Sequence, residues 1–217
     1  QPKTVKIPTF NQKAVPSDIY IPTEEELVNP WQLHDSYILV QCEDGCLLID
    51  QHAAHERIIY EKLIHRMMGV PAVSQPLLFP VVIDIPPILA DTVNNLLEEN
   101  SDLLEKVGFV IKAFSGDSIV INEIPAELSD WEGGEVFKEI LYQLQDEYQE
   151  TKDYRDSIAK SVSCKSAIKI NTRLGRKEML KLINDLFACR VPWFCPHGRP
   201  VLIKMTLHEI ERKLKRI

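Results

Sequence analysis

No apolar run among these 217 residues approaches the ~18 needed to cross a bilayer, so no membrane partner is expected. The opening stretch, QPKTVKIPTF, lacks the apolar core of a secretion signal. There is no internal repeat and no low-complexity tract. Positive charge is also short: 25 Lys and Arg stand against 32 Asp and Glu, for a formal net charge of −7. Affinity for nucleic acid comes from phosphate neutralisation by basic residues, so an acidic domain will not coat itself with nucleic acid by charge alone. A local basic patch or a second attachment must then hold it there. The five cysteines are an odd number without a secretion signal. Reduced thiols in a cytoplasmic setting follow, where cysteine serves metal binding, catalysis or the core.

What is present is a globular composition, 45% apolar and 26% charged, in a chain long enough to bury a core. Residues 1–24 carry prolines at 2, 8, 16 and 22 and read as an extended arm continuing a larger protein. TEEELVNP has the makings of one helical turn before Pro30. In SYILVQCEDGCLLID two apolar runs flank Asp44-Gly45, a hairpin signal. A helix follows from about Gln51 to Met68, with Asp50 placed to cap it. VPAVSQPLLFPVVIDIPP is extended, 88–106 helical, and GFVIKAFSGDSIVINEIP a hairpin about Ser115-Gly116-Asp117. Helices are expected at 135–150, 153–170 and 176–188. The strand VLIKM comes next, then a last helix opened by a Thr206/Glu209 capping box. The irregular alternation predicts an α+β fold with mixed or antiparallel sheets and packed helices. The polar clusters lie on either side of 81–153, which marks that stretch as an insertion between 25–80 and 154–217.

Those clusters hold the chemistry. In IDQHAAHERIIYEKL, His52 and Glu56 are four apart on one helical face, with His55 beside them and Asp50 at the strand-to-helix junction. Ile59 stands where a zincin would need its second histidine. A solvated first turn is the alternative. FCPHGRP sets Cys195 and His197 two apart on a loop, followed by Arg199, a planar cation suited to phosphate. The alternative there is a core thiol beside a surface imidazole. In SVSCKSAIKIN, Cys164 shares a helical stripe with Ile168, which also fits a small core residue, while Lys165 and Lys169 form a basic edge. Cys42, Cys46 and Cys189 sit among apolar neighbours as core. Together the three segments offer thiolate, imidazole and carboxylate donors suited to zinc, or to manganese where oxygen dominates. Carboxylates with basic residues nearby are what metal-assisted phosphodiester hydrolysis requires.

DQHAAHERIIYE, SCKSAIK and CPHGRP, in that order, resemble the signatures of the C-terminal domain of bacterial MutL mismatch-repair proteins of the type with a latent nicking endonuclease. Asp50, His52, Glu56 and Glu61 fall in register with the first signature. The resemblance covers about 25–217. It implies a homodimer, a dimerisation subdomain (25–80 and 154–217) and an inserted regulatory subdomain (81–153). It further implies a metal site formed by Asp50, His52, Glu56, Cys164, Cys195 and His197, with Asp50, His52 and Glu56 catalytic. Zinc would be structural or regulatory and manganese would support nicking, with no nucleotide on this domain. Lys165 stands where some relatives carry His, and no terminal cysteine follows ERKLKRI.

The implied partners are duplex DNA, cut without sequence preference, with Arg199, Lys165 and Lys169 toward phosphate. The N-terminal ATPase region of the same chain, other mismatch-repair proteins and the replication sliding clamp complete the set, in a nucleoid-associated cytoplasmic location. The clamp peptide would be QPLLFP, with Gln75, Leu78 and Pro80 as anchors, although a buried connector has the same composition. The competing function is a non-catalytic dimerisation and docking platform with a structural zinc. A dimer surface is expected in 37–49, 200–205 and the last helix.

Overall fold

The first hairpin forms where Asp44-Gly45 places it. β1 (Val28–Leu33), β2 (Tyr37–Cys42) and β3 (Gly45–Asp50) run antiparallel, with Cys42 opposite Gly45. β7 (Leu202–Thr206) joins beside β3, giving the order β1-β2-β3-β7. Gly45 is demanded by this neighbour: at φ +154° an added Cβ would lie 2.0 Å from the Met205 carbonyl oxygen. The computed structural model describes residues 28–70, 72–113, 118–128, 131 and 133–217. The proline-bearing arm and the tip of the second hairpin lie outside them. Of TEEELVNP only Val28–Pro30 is described, and it is strand rather than helical turn. Pro30 is tolerated there because β1 is an edge strand with a register shift between Val28 and Trp31.

The second sheet has the order β4-β6-β5, formed by β4 (Ser74–Asp84), β5 (Val110–Ala113) and β6 (Ser118–Pro125). All pairings in both sheets are antiparallel, and with seven α-helices among the described residues the fold is α+β. β4 lies wholly in the second sheet. The helical stretch expected over 88–106 is broken in two, α2 (Ala90–Glu98) and α3 (Ser101–Val107), separated at Glu99-Asn100. α4 (Glu135–Thr151), α5 (Tyr154–Ser166), α6 (Arg176–Phe187) and α7 (Leu207–Lys213) complete the set, α7 opening on the expected Thr206/Glu209 capping box.

One helix ties the two layers together. α1 (Gln51–Met67) is capped by Asp50, whose side chain accepts from the Ala53 N–H at 3.0 Å. Its first half gives Ala53, Ala54 and Ile58 to a core with the inner face of the first sheet and Met179, Leu182, Ile183 and Leu186 of α6. Its second half gives Ile59, Tyr60, Leu63 and Met67 to a larger core with the second sheet and α2–α5. Burying a side chain such as Leu63 contributes about 2 kcal/mol, so α1 is fixed from both sides before any polar contact is counted.

Candidate metal centre

Three side chains from two ends of the chain meet beside α1. Glu56, Cys195 and His197 each present a ligand atom within 4.8 Å of the others. The His197 Nδ1 lies 2.9 Å from Glu56 Oε1, while Cys195 is fully buried. The loop that brings Cys195 and His197 here is held by α1 itself. Arg57 donates from Nε to the Phe194 carbonyl at 2.6 Å, and the Glu61 carboxylate accepts the backbone N–H groups of Arg190 at 2.7 Å and Val191 at 3.1 Å. Glu61, the last acid in the first signature, therefore anchors the loop rather than joining the trio. Within the loop, the Cys195 N–H donates to the Arg199 carbonyl and the Gly198 N–H to the Cys195 carbonyl, closing a tight turn.

Asp50, His52 and Cys164 stand outside this trio. Asp50 spends one carboxylate oxygen on its helix cap. The His52 Nδ1 meets the Ile168 carbonyl at 2.8 Å, which assigns the proton to Nδ1 and leaves the Nε2 lone pair free to ligate. A proton on that Nε2 instead would place a positive charge near enough to favour the charged form of Glu56. Cys164 is half-buried, one turn beyond Lys160 on the same face of α5. His55, left open between ligand and solvent by the sequence, takes another role: its Nδ1 accepts the Ile168 N–H at 3.0 Å. Two histidines thus grip both backbone polar groups of one residue.

Charge around the trio is finely set. Burial pushes the Glu56 carboxyl up, but the hydrogen bond and charge of His197, with a further bond from Cys195, outweigh it and hold the group below its ordinary value. His197 is pushed up to about 10 by its hydrogen bonds to Cys195 and Glu56, against the opposing effect of burial. Without a metal its pairing stabilises the fold fully below pH 6.5, and the contribution is lost as pH rises through about 10. The donor set of oxygen, nitrogen and sulfur fits a borderline cation such as zinc, whose bonds of about 2.0–2.3 Å come close to spanning the trio.

Sequence reasoning missed three parts of this surround. Glu147 of α4 touches the His197 Nε2 at 2.9 Å. Gln51, fully buried, donates to the carbonyls of Asp35 (2.6 Å) and Thr172 (3.0 Å) and accepts from Gln32 at 2.7 Å; Gln32 in turn holds the Thr172 carbonyl and the Leu174 N–H. The third is the backbone role of Glu61. None has a local pattern, because every partner is distant in sequence. Of the residues assigned to phosphate, Arg199 is exposed, Lys169 donates to the Lys165 carbonyl, and Lys165 is paired with Glu139 at 2.7 Å.

The model of the MutL C terminal dimerisation domain family matches residues 31–174. The chain belongs to that family. It is 41% identical over 187 residues to the DNA mismatch repair protein MutL of Chlorobaculum tepidum, covering 86% of this chain and 29% of that protein. The MutL protein of Chloroherpeton thalassium is 36% identical over 219 residues, covering 96% and 33%, and that of Clostridium botulinum 39% over 187 residues, covering 86% and 28%. The chain thus spans a third or less of these MutL relatives. The family match includes Asp50, His52, Glu56 and Glu147; Cys195 and His197 lie beyond its end. Among the described residues no helix is long and apolar enough to cross a membrane.

Burial holds His55 neutral, with the Lys62 charge adding to it, at a value of about 4 against an ordinary 6.5. The unfolded chain takes the proton first as pH falls, so this contribution is complete above 6.5 and lost on the way down to 4. In a melting series from pH 7.5 to 4.5 with chelator, His55→Asn, which keeps an acceptor for the Ile168 N–H, should flatten the acid decline. A decline as steep as that of the parent would exclude this role.

Proposed function

We propose that this chain is the metal-dependent nicking and dimerisation segment of a mismatch-repair protein, hydrolysing phosphodiesters of duplex DNA without sequence specificity. The observation that supports it most is the meeting of Glu56 with Cys195 and His197, from segments about 140 residues apart, in a donor set suited to a divalent ion. Glu56, Cys195 and His197 would hold the ion, with Asp50, His52 and Cys164 at the margin of the same region. When bound, such an ion supplies Lewis acidity toward a phosphate and an activated water. Zinc in the structural or regulatory role and manganese in nicking remain the assignment proposed.

DNA attachment has a source that net charge conceals. Residues 152–217 hold sixteen of the 25 basic residues and only six of the 32 acidic ones. Lys169, Arg173, Arg176 and Lys177 follow directly on Ile168, the residue gripped by His52 and His55, and all four are exposed. With Arg199 they form the surface proposed for phosphate; Lys165, already paired, contributes less. A DNA-bound, nucleoid-associated location follows from this reading. The ATPase region and other mismatch-repair proteins are proposed partners, since the MutL relatives extend well beyond the matched span.

One observation favours the competing platform reading: Cys195 is fully buried on a loop held by Arg57 and Glu61, as a structural zinc centre would be. Nicking of supercoiled plasmid with Mn²⁺ at low salt separates the two. Asp50→Asn, which preserves a cap, and Glu56→Gln should each fall to background; full activity in both variants rules the nuclease out.

The first sheet also offers a dimer surface. Trp31, Leu39, Leu48 and Ile203 lie in register across all four strands, with Trp31 and Ile203 more than half exposed. A two-fold partner covering this stripe accounts for apolar residues on an outer face. Ile203→Lys, by burying an unpaired charge at about 3 kcal/mol or more, should raise the dissociation constant roughly 100-fold. Sedimentation equilibrium gives the answer, and an unchanged dimer excludes the surface.

QPLLFP lies in β4, at a register shift between Pro76 and Val81. Leu78 is 88% and Phe79 76% exposed, so they project from the sheet instead of entering the core. This display supports docking to a sliding clamp through Gln75, Leu78 and Pro80. Removing the Leu78 anchor together with its exposed neighbour, in Leu78→Ala with Phe79→Ala, should weaken capture on an immobilised clamp at least ~10-fold; equal binding by the double variant would refute the assignment.

A further inference from the structure

The His197 ring is held at both nitrogens. Nδ1 faces Glu56 at 2.9 Å, and Nε2 faces Glu147 Oε1, also at 2.9 Å. Glu56 comes from α1, but Glu147 comes from α4, within the stretch the sequence marked as inserted. Glu147 is itself fixed. Its second oxygen lies 3.3 Å from Lys160 Nζ of α5, which also pairs with Asp156 at 3.1 Å, and Asp156 accepts from the Tyr60 hydroxyl at 2.6 Å. The side chains of Glu147, Lys160 and Asp156 are 12%, 12% and 8% exposed, so solvent screens them little. The chain Glu56–His197–Glu147–Lys160–Asp156–Tyr60 begins and ends on α1.

We propose that Glu147 is a positioning residue for the metal site: it accepts the Nε2–H of His197 and so keeps Nδ1, which donates to Glu56 in the metal-free chain, as the nitrogen that faces Glu56 and Cys195 and would engage a cation in place of that proton. This rests on the metal reading above. An imidazole ligates through one nitrogen, and which one is set by the hydrogen bond the other makes. Without Glu147 the ring keeps only its contacts to Glu56 and Cys195, the two groups with which it would share a cation, and nothing behind it holds Nε2–H or fixes its rotation once Nδ1 ligates. The consequence is regulatory in form. A divalent cation held by Glu56, Cys195 and His197 is bound more or less tightly according to where α4 sits, because α4 supplies the carboxylate behind the ligand. The inserted unit thereby reaches the site through one side chain, without contributing a ligand.

The test uses the 217-residue chain and competitive titration with Zn²⁺ and Co²⁺, with thiolate-to-Co²⁺ charge-transfer absorption as the spectroscopic readout. Glu147→Ala should weaken binding of both ions about 10–100-fold. Glu147→Gln, whose amide oxygen accepts the same Nε2–H, should stay within a few-fold of the parent. Glu139→Gln, on the same helix but paired outward with Lys165, should change nothing. Parental affinity in Glu147→Ala overturns the positioning role while leaving the metal site standing; an equal loss in Glu147→Gln overturns it too. If the parent chain itself takes up neither ion, the metal reading under the proposed function fails instead.

Discussion

Arg57 is 1% exposed, and its Nε holds the carbonyl of a residue 137 positions later in the chain. One turn on, the Glu61 carboxylate takes two consecutive backbone N–H groups from the start of the same loop. A buried guanidinium and a part-buried carboxylate are costly to desolvate, and that cost is offset only where geometry and hydrogen bonds are good. Here they are directed at peptide groups of a loop with no regular structure of its own. Cys195 and His197 stand opposite Glu56 because of this attachment. If it is released, the thiol and imidazole lose their place whatever their own chemistry.

The same helix sets the other side of the site. Asp50 starts it, Gln51 locks the 171–174 loop through Gln32, and His52 and His55 clamp Ile168. Consecutive residues of α1 thus fix two distant loops at once, one bearing the thiol–imidazole pair and the other opening the basic tract from Lys169. The acidic bulk of the chain and its basic last third meet along this helix.

Much of the fold was readable in advance because its signals are local. The Asp50 cap, the Asp44-Gly45 hairpin and the Thr206/Glu209 box depend on neighbours within four residues, and each is found where its pattern predicted. The readings that needed revision turn on tertiary context. Pro30 sits in a strand because the edge of the sheet accepts it, and 88–106 divides at Glu99-Asn100. The trio at the candidate site comes from motifs whose residue types suit metal coordination. Glu147 gave no such signal: a glutamate in a helix with many acids looks like solvated surface until the fold brings His197, 50 residues away, against it. Gln51 was equally silent, since its partners are two distant backbone carbonyls and another glutamine.

β4 is an edge strand, and edges are where sheets recruit foreign chains. Pro76 and Pro80 bracket its most apolar residues and contribute no N–H to that edge. A ladder trying to grow outward along Leu77–Phe79 would meet missing donors at both ends, and the irregular register there misaligns the rest. The strand can therefore hold out two large greasy side chains permanently without seeding fibrils, a guard against self-templating built from the backbone chemistry of two imino acids.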